Sequence, residues 1–222
     1  MTTLVSSLNS QNCQMIYMAA CLVCCVYFGR GPRSGEYLVF SDRGKSEWLI
    51  LMHGVRSIVA SERERIFTGI LEPQDEGLPG HVAPFLQQQL SQHQEHIRRV
   101  RKLVTEEVFD QGLLETYLAA IDDLSTFFYE AFRVRSAGRH GLCLMAVTVG
   151  WIYRLPDLIV ELVETKYSYS LIILAHWCVL LKYMGTSWLM VGWDKHVISG
   201  IMLSLKAEFR SHMEFLARII YS

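Results

Sequence analysis

Two long stretches near the end of the chain carry no charged side chain. Residues 167–181 and 183–193 are separated only by Lys182, and both are rich in aliphatic and aromatic side chains. A helix that is apolar on every side has no face that prefers water, so other parts of the fold must enclose it. We therefore expect a larger helical domain around this region, with the final two helices of the chain on either side of Gly185.

The overall composition also indicates a large apolar interior. Of the 222 residues, 51% are hydrophobic and 19% are charged, which is richer in apolar groups than an average soluble protein. A chain of this length buries roughly 70 to 75% of its unfolded surface, so one domain spanning residues 1–222 is sufficient. The apolar excess predicts a large core, an apolar pocket or a missing partner, and the composition leaves these alternatives open.

Apolar residues recur at helical spacing along most of the chain, with glycine and proline between the repeats. This pattern predicts an all-α fold of about seven helices. The expected helices run over about residues 10–28 and 42–61, from Pro84, from Gly112 to near Gly138, from Pro156, and as two final helices separated by Gly185. We expect a short apolar segment at 141–151 and a polar surface linker at 72–80.

The charge balance argues against direct binding to nucleic acid. Lysine and arginine together number 21, against 22 for aspartate and glutamate, so the chain lacks the positive field that attracts phosphates. The basic run at 96–102 is flanked by acidic residues and is better explained as a solvated helix face.

The cysteines do not have the spacing of a zinc cluster. The six thiols lie at Cys13, Cys21, Cys24, Cys25, Cys143 and Cys178. Four of them fall in one uncharged run, whose helical spacing scatters them around the surface, and the other two are far away. We therefore expect no metal site and free thiols in a reducing, intracellular compartment, either the cytoplasm or the nucleus.

The uncharged N-terminal segment is too short to predict a membrane span. The first charged residue is Arg30, so the preceding 29 residues are uncharged. The first twelve of them are mostly polar, and only about 16 residues are apolar, against the ~20 that a spanning helix needs. A buried helix is the preferred interpretation.

The candidate ligand-binding residues are histidines and tryptophans in the last third of the chain. They are His176, Trp177, Trp188, Trp193 and His196. Each histidine lies in an apolar helix, so it either forms a hydrogen bond within the core or points into a cavity. In a cavity, a neutral imidazole among indoles suits one hydroxyl or carbonyl of a hydrophobic molecule such as a sterol or terpenoid. No HExxH or GxSxG motif is present, so we expect no cofactor and name no catalytic residue.

Four segments of the chain carry a resemblance to a known family. They are residues 36–42, 47–58, 170–182 and 187–198. Together they resemble the regulatory domain of fungal binuclear zinc-cluster transcription factors, in particular the sterol uptake control type. The resemblance covers most of the chain from residue 12 to residue 198. It implies an all-α ligand-binding domain that lacks the DNA-binding region and is truncated at its N-terminus.

Two functions from different classes follow, and the sequence leaves open whether the protein is an enzyme. The first is a stand-alone domain that binds a hydrophobic, sterol- or terpenoid-like molecule. The alternative is a cofactor-free enzyme of fungal secondary metabolism, a cyclase or Diels–Alderase-like pericyclase that folds a terpenoid or polyketide by orientation alone. A third idea is a homo- or heterodimer formed through an apolar face that missing helices would otherwise cover.

Overall fold

The computed structural model describes residues 12–73, 77–185 and 187–222 and confirms an all-α, single-domain fold. In these residues, nine α-helices and two 3-10 helices occur and no strand is formed. The α-helices are α1 (Cys13–Gly29), α2 (Glu47–Ile66), α3 (Pro84–Glu107), α4 (Gln111–Ser136), α5 (Leu142–Arg154), α6 (Asp157–Glu164), α7 (Ser168–Tyr183), α8 (Trp193–Ser204) and α9 (Glu214–Tyr221). The 3-10 helices are Gly69–Leu71 and Ala207–Met213. The number is close to the seven expected, and the additional helices are α5 and α9.

Helix α7 lies at the centre of the domain. It contacts α3, α4, α5, α6, α8 and α9, and an unbroken run of twelve of its residues, 170–181, is buried. This is the environment that the uncharged part of the helix, up to residue 181, requires, because none of its faces prefers water. The absence of charge in 167–181 is therefore explained by enclosure within the protein.

Helix α2 begins later than the sequence pattern suggests. It was expected over about 42–61, whereas it runs from Glu47 to Ile66. The reason is Ser46, whose hydroxyl accepts a hydrogen bond from the Leu49 amide at 3.4 Å and donates one to the carbonyl oxygen of Leu38. This cap fixes the start of α2, because it satisfies an amide that has no partner within the helix.

Helix α5 replaces the short apolar segment that was expected at 141–151. Gly141 precedes the helix with a φ of 66°, a conformation that suits glycine, and the helix then continues to Arg154. Pro156 follows and precedes α6, which is bent by 91° relative to α5.

An aromatic cluster joins α8 to α1 and α2, which lie far from it in sequence. The ring of Trp193 in α8 stacks on Tyr27 at 5.7 Å and meets Phe28 edge-on at 6.1 Å, both in α1. Phe28 in turn lies 5.7 Å from Trp48 in α2. Such aromatic pairs contribute about 0.5–1.5 kcal/mol each beyond the area that they bury. The cluster fixes the positions of α1 and α2 relative to α8.

The predicted surface linker at 72–80 is only partly described, since residues 74–76 lie outside the described residues. Its last two residues are tied to α4. The Arg133 side chain donates a hydrogen bond to the Pro79 carbonyl oxygen at 2.7 Å, and the Tyr129 hydroxyl donates one to the Gly80 carbonyl oxygen at 3.2 Å.

Among the described residues, no single helix has both the length and the apolar character needed to cross a membrane. The sharply bent pair α5 and α6 meets these criteria of length and composition only when the two helices are taken together.

The outer side of α1 is apolar and exposed. The helix contains no charged residue, and its exposed large hydrophobic side chains are Met15, Met18, Leu22, Val23 and Val26. The opposite side of the same helix faces α2 and α5.

Candidate functional site

An apolar groove with a volume of about 430 Å³ lies between α1, α2 and α5. Its lining residues are Tyr17, Cys21, Cys24, Cys25 and Phe28 from α1, Met52, Val55, Val59, Arg63 and Phe67 from α2 and its C-terminal end, and Leu142, Met145, Ala146, Val149, Gly150 and Tyr153 from α5. The volume falls within the range of about 300–1,000 Å³ that is typical of small-molecule sites. We refer to this site as the apolar groove.

The sequence of α5 places one helical face along the apolar groove. Leu142, Met145, Val149 and Tyr153 recur at intervals of three and four residues, so their side chains lie above one another on one side of the helix. Gly150 lies on the same stretch and allows close packing against α4. A Cβ atom at this position would lie only 2.9 Å from Cε1 of Phe127.

Helix α1 contributes thiols that behave as apolar groups. Burial, followed by the neighbouring Cys21 and Cys25, raises the pKa of Cys24 to about 11, and burial also raises the pKa of Cys21. Both thiols are therefore protonated near neutral pH, and a protonated cysteine packs like a small, polarisable hydrophobic residue. A thiolate nucleophile at Cys21 or Cys24 is not supported by this environment.

The strongly polar groups of the apolar groove are two phenols and one guanidinium. Burial, followed by the neighbouring Cys21, raises the pKa of Tyr17 to about 12. The guanidinium carbon of Arg63 lies 5.7 Å from the centre of the Phe67 ring. The lining includes no histidine and no carboxylate, so it offers no group that ordinarily exchanges a proton near pH 7. These groups are suited to orienting a ligand by hydrogen bonding.

Two of the candidate tryptophans are buried and bonded to the backbone. The Trp177 indole N–H donates to the Thr148 carbonyl oxygen at 2.8 Å, and the Trp193 indole N–H donates to the Phe28 carbonyl oxygen at 3.2 Å. These bonds connect α7 to α5 and α8 to α1. Neither tryptophan lines the apolar groove, although each holds a helix that does.

His196 contacts the loop that precedes α2. Its Nε2 atom donates to the Glu36 carbonyl oxygen at 2.9 Å, and its ring stacks on Tyr37 with 5.0 Å between ring centres. Gly200, one turn later, makes room for the same tyrosine, because a Cβ atom there would lie 2.2 Å from Cδ1 of Tyr37. His196 thus holds this loop against α8.

Trp188 lies at the surface, with 77% of the residue exposed. Its Cζ3 atom is 3.1 Å from the position that a Cβ atom on Gly29 would occupy, so the ring rests on the C-terminal end of α1. It does not line the apolar groove.

His176 has a different environment, since it is 3% exposed and lines a second, polar cavity of about 320 Å³. We call this the histidine cavity. Its lining residues are His96, Arg99, Val100, His176, Ser211, His212, Glu214, Phe215 and Arg218. The structure brings Trp193 and His196 together, with 6.1 Å between their ring centres. Of the five candidate residues, His176 alone lines one of these two cavities.

Within the described residues, no group of three or more histidine, cysteine, aspartate or glutamate side chains is arranged to hold a metal ion.

Comparisons with protein-family models, with curated proteins and with solved structures find no match.

Proposed function

We propose that this chain binds a hydrophobic small molecule in the apolar groove. The observation that carries the proposal is the character of the lining, in which most side chains are aliphatic, aromatic or thiol and only Tyr17, Arg63 and Tyr153 offer strong polar contacts. Ligand sites commonly combine an apolar surface with a few polar groups that fix the orientation of the ligand.

A sterol or terpenoid matches this arrangement. Each square ångström of apolar surface that leaves water contributes about 25 cal/mol, so a rigid hydrocarbon body supplies most of the affinity. One hydroxyl on that body can accept a hydrogen bond from the Arg63 guanidinium or from a tyrosine hydroxyl of the groove. The choice of ligand class is also supported by the resemblance of residues 36–42 and 47–58 to sterol-responsive regulatory domains.

The proposed function is the binding of a small molecule, without direct contact between this chain and nucleic acid. The net charge of the chain is −1 at pH 7, which offers no electrostatic attraction for phosphates. The absence of imidazole and carboxylate groups from the lining also favours binding over acid–base catalysis. Cyclisation by orientation alone needs neither group, so the same experiment must distinguish an unchanged ligand from a cyclised product.

The test is a titration of the purified protein with a fluorescent sterol and, separately, with farnesol as a linear terpenoid. Native mass spectrometry of each mixture gives the mass of the bound molecule and the number of subunits. Gas chromatography of the extracted ligand then separates the linear alcohol from a cyclised isomer of the same mass. The variant Ala146→Trp places a bulky ring at an exposed position of the lining. The matched control is Ala119→Trp, which is also exposed and lies on α4 outside the lining.

We expect saturable binding of the sterol or of farnesol to the wild type and to Ala119→Trp, and at least tenfold weaker binding to Ala146→Trp. Equal affinity of the two variants, or no binding by the wild type, would refute the proposed site. A bound terpenoid that has gained a ring would replace the binding function with the enzymatic alternative. Recovery of the unchanged ligand supports binding alone.

A further inference from the structure

The histidine cavity contains a buried polar side chain without a partner. His176 is 3% exposed, and neither of its ring nitrogens forms a hydrogen bond with any described residue. Burial, followed by the nearby His96, His93 and His212, lowers the pKa of His176 to about 3, so the imidazole is neutral at physiological pH. A neutral imidazole offers one N–H donor and one acceptor, and buried groups of this kind normally have a partner. The cavity that His176 lines is the space in which such a partner would lie.

Positive charge exceeds negative charge at the lining of this cavity. Arg218 forms no ion pair within the described part of the chain. Arg99 has a contact of 3.4 Å to Glu95, but that carboxylate is closer to Arg98, at 2.7 Å. Glu214 is the one carboxylate among the lining residues, against two guanidinium groups. Guanidinium groups that are not fully paired are suited to carboxylate and phosphate oxygens, which they bind in a bidentate manner.

One wall of the cavity is aromatic. The rings of His96 and Phe215 are nearly parallel, at 8°, with 3.3 Å between their centres. The Ser211 hydroxyl is a further lining group that can donate or accept a hydrogen bond. The volume of about 320 Å³ is larger than a single inorganic anion needs, so the cavity also has space for an organic body.

We infer that the histidine cavity is a second binding site, which takes a small organic molecule bearing an oxyanion group, either a carboxylate or a phosphate. The guanidinium groups of Arg99 and Arg218 bind the oxyanion. The body of the ligand lies against Phe215, and a polar atom of the ligand forms a hydrogen bond with His176. This site is separate from the apolar groove and has no lining residue in common with it.

The experiment uses the full chain with ¹⁵N-labelled histidine. The imidazole signals are followed by NMR at neutral pH during titration with phenyl phosphate, with benzoate and with neutral benzyl alcohol. The variant Arg218→Gln removes one charge at an exposed position of the lining. The matched control is Arg210→Gln, an exposed arginine outside the lining. Circular dichroism and thermal melting verify that both variants keep the wild-type fold.

We expect saturable shifts of the His176 and His96 signals with phenyl phosphate or benzoate. Affinity for the tighter anion should fall about tenfold in Arg218→Gln, which corresponds to the loss of one charge-assisted contact, and should be unchanged in Arg210→Gln. The tighter of the two anions identifies the preferred oxyanion. Equal shifts with benzyl alcohol, no saturation up to about 10 mM, or wild-type affinity in Arg218→Gln would each overturn the inference. The sterol titration reports on a different cavity, so either proposal can fail without the other.

Discussion

The Nε2 atom of His93 in α3 lies 2.6 Å from the hydroxyl oxygen of Tyr183 at the end of α7. The Arg135 guanidinium from α4 lies 3.9 Å from the centre of the same tyrosine ring. Burial, followed by the charge of Arg135, lowers the pKa of His93 to about 4. Tyr183 therefore connects α7 to both α3 and α4. The imidazole in this contact is neutral, and its protonation opposes folding.

The free energy of unfolding should consequently decrease as the pH falls from about 6.5 to about 4. In this pH window the unfolded chain binds a proton at His93 that the folded chain does not. The contribution of His93 to the free energy of unfolding is therefore fully present above pH 6.5 and is lost as the pH falls. The difference between the two pKa values corresponds to about 3 kcal/mol. Urea unfolding at pH 7.5 and pH 4 measures the loss. It should be clearly smaller in His93→Gln and unchanged in His81→Gln, an exposed control. Equal losses in the two variants would assign the acid sensitivity to other groups, among which the buried His176 is the first to examine.

Gly200→Ala should destabilise the fold by about 1–3 kcal/mol, the usual cost of placing an extra methyl group in a filled space. The new Cβ atom would lie 2.2 Å from Cδ1 of Tyr37, so the loop before α2 must move away from α8. Gly112→Ala in α4 is the control. Its Cβ atom would have only an ordinary 3.6 Å contact, so stability should be unchanged or rise by up to about 1 kcal/mol. Thermal and urea unfolding of both variants measure the difference, and a neutral Gly200→Ala would show that the loop does not pack as described.

Cys24 should react slowly with iodoacetamide in the folded protein at pH 7.5. With its pKa raised to about 11, fewer than about 0.1% of the molecules carry the reactive thiolate at that pH. Peptide mass spectrometry after timed alkylation measures the rate at this residue. Denaturation in urea should accelerate the reaction strongly, since it removes the burial that raises the pKa. Similar rates in the folded and unfolded chains would contradict the environment described for this thiol.

Trp188 should dominate the quenching of tryptophan fluorescence by acrylamide. It is 77% exposed, whereas the other four tryptophans are at most 1% exposed. The variant Trp188→Phe should therefore lose most of the accessible component while keeping its melting temperature. Trp151→Phe, which removes a buried ring, should retain the quenching and lose stability. Strong quenching that survives in Trp188→Phe would mean that a second indole reaches solvent.

The enclosure of α7 could be predicted from the sequence, because the absence of charge over 167–181 leaves no other stable environment in a helical protein. The start of α2 could not be fixed in the same way. Asp42 and Ser46 are both residue types that favour helix starts, so the local pattern permits either position. The contact of the Ser46 hydroxyl with the Leu38 carbonyl decides between them, and that contact depends on how the loop folds back.

The apolar groove was missed because α1 is apolar on its exposed side as well as on its enclosed side. Such a helix gives no indication of which face borders an open space. The spacing of Leu142, Met145, Val149 and Tyr153 in α5 was the available signal, and recognition of 141–151 as a helix would have revealed it. The surroundings of His176 could not be predicted from its neighbours in sequence, since the residues around it in the cavity come from α3, α9 and the second 3-10 helix.

The position of α7 also determines how the protein loses its structure. Helices on all sides of it come from both earlier and later parts of the chain, from α3 through α9. No contiguous half of the protein can therefore separate while the other half keeps its interior covered. The domain should behave as one cooperative unit, in which the hydrogen-bonded amide hydrogens of 171–183 exchange with solvent only during global opening and are the last to do so.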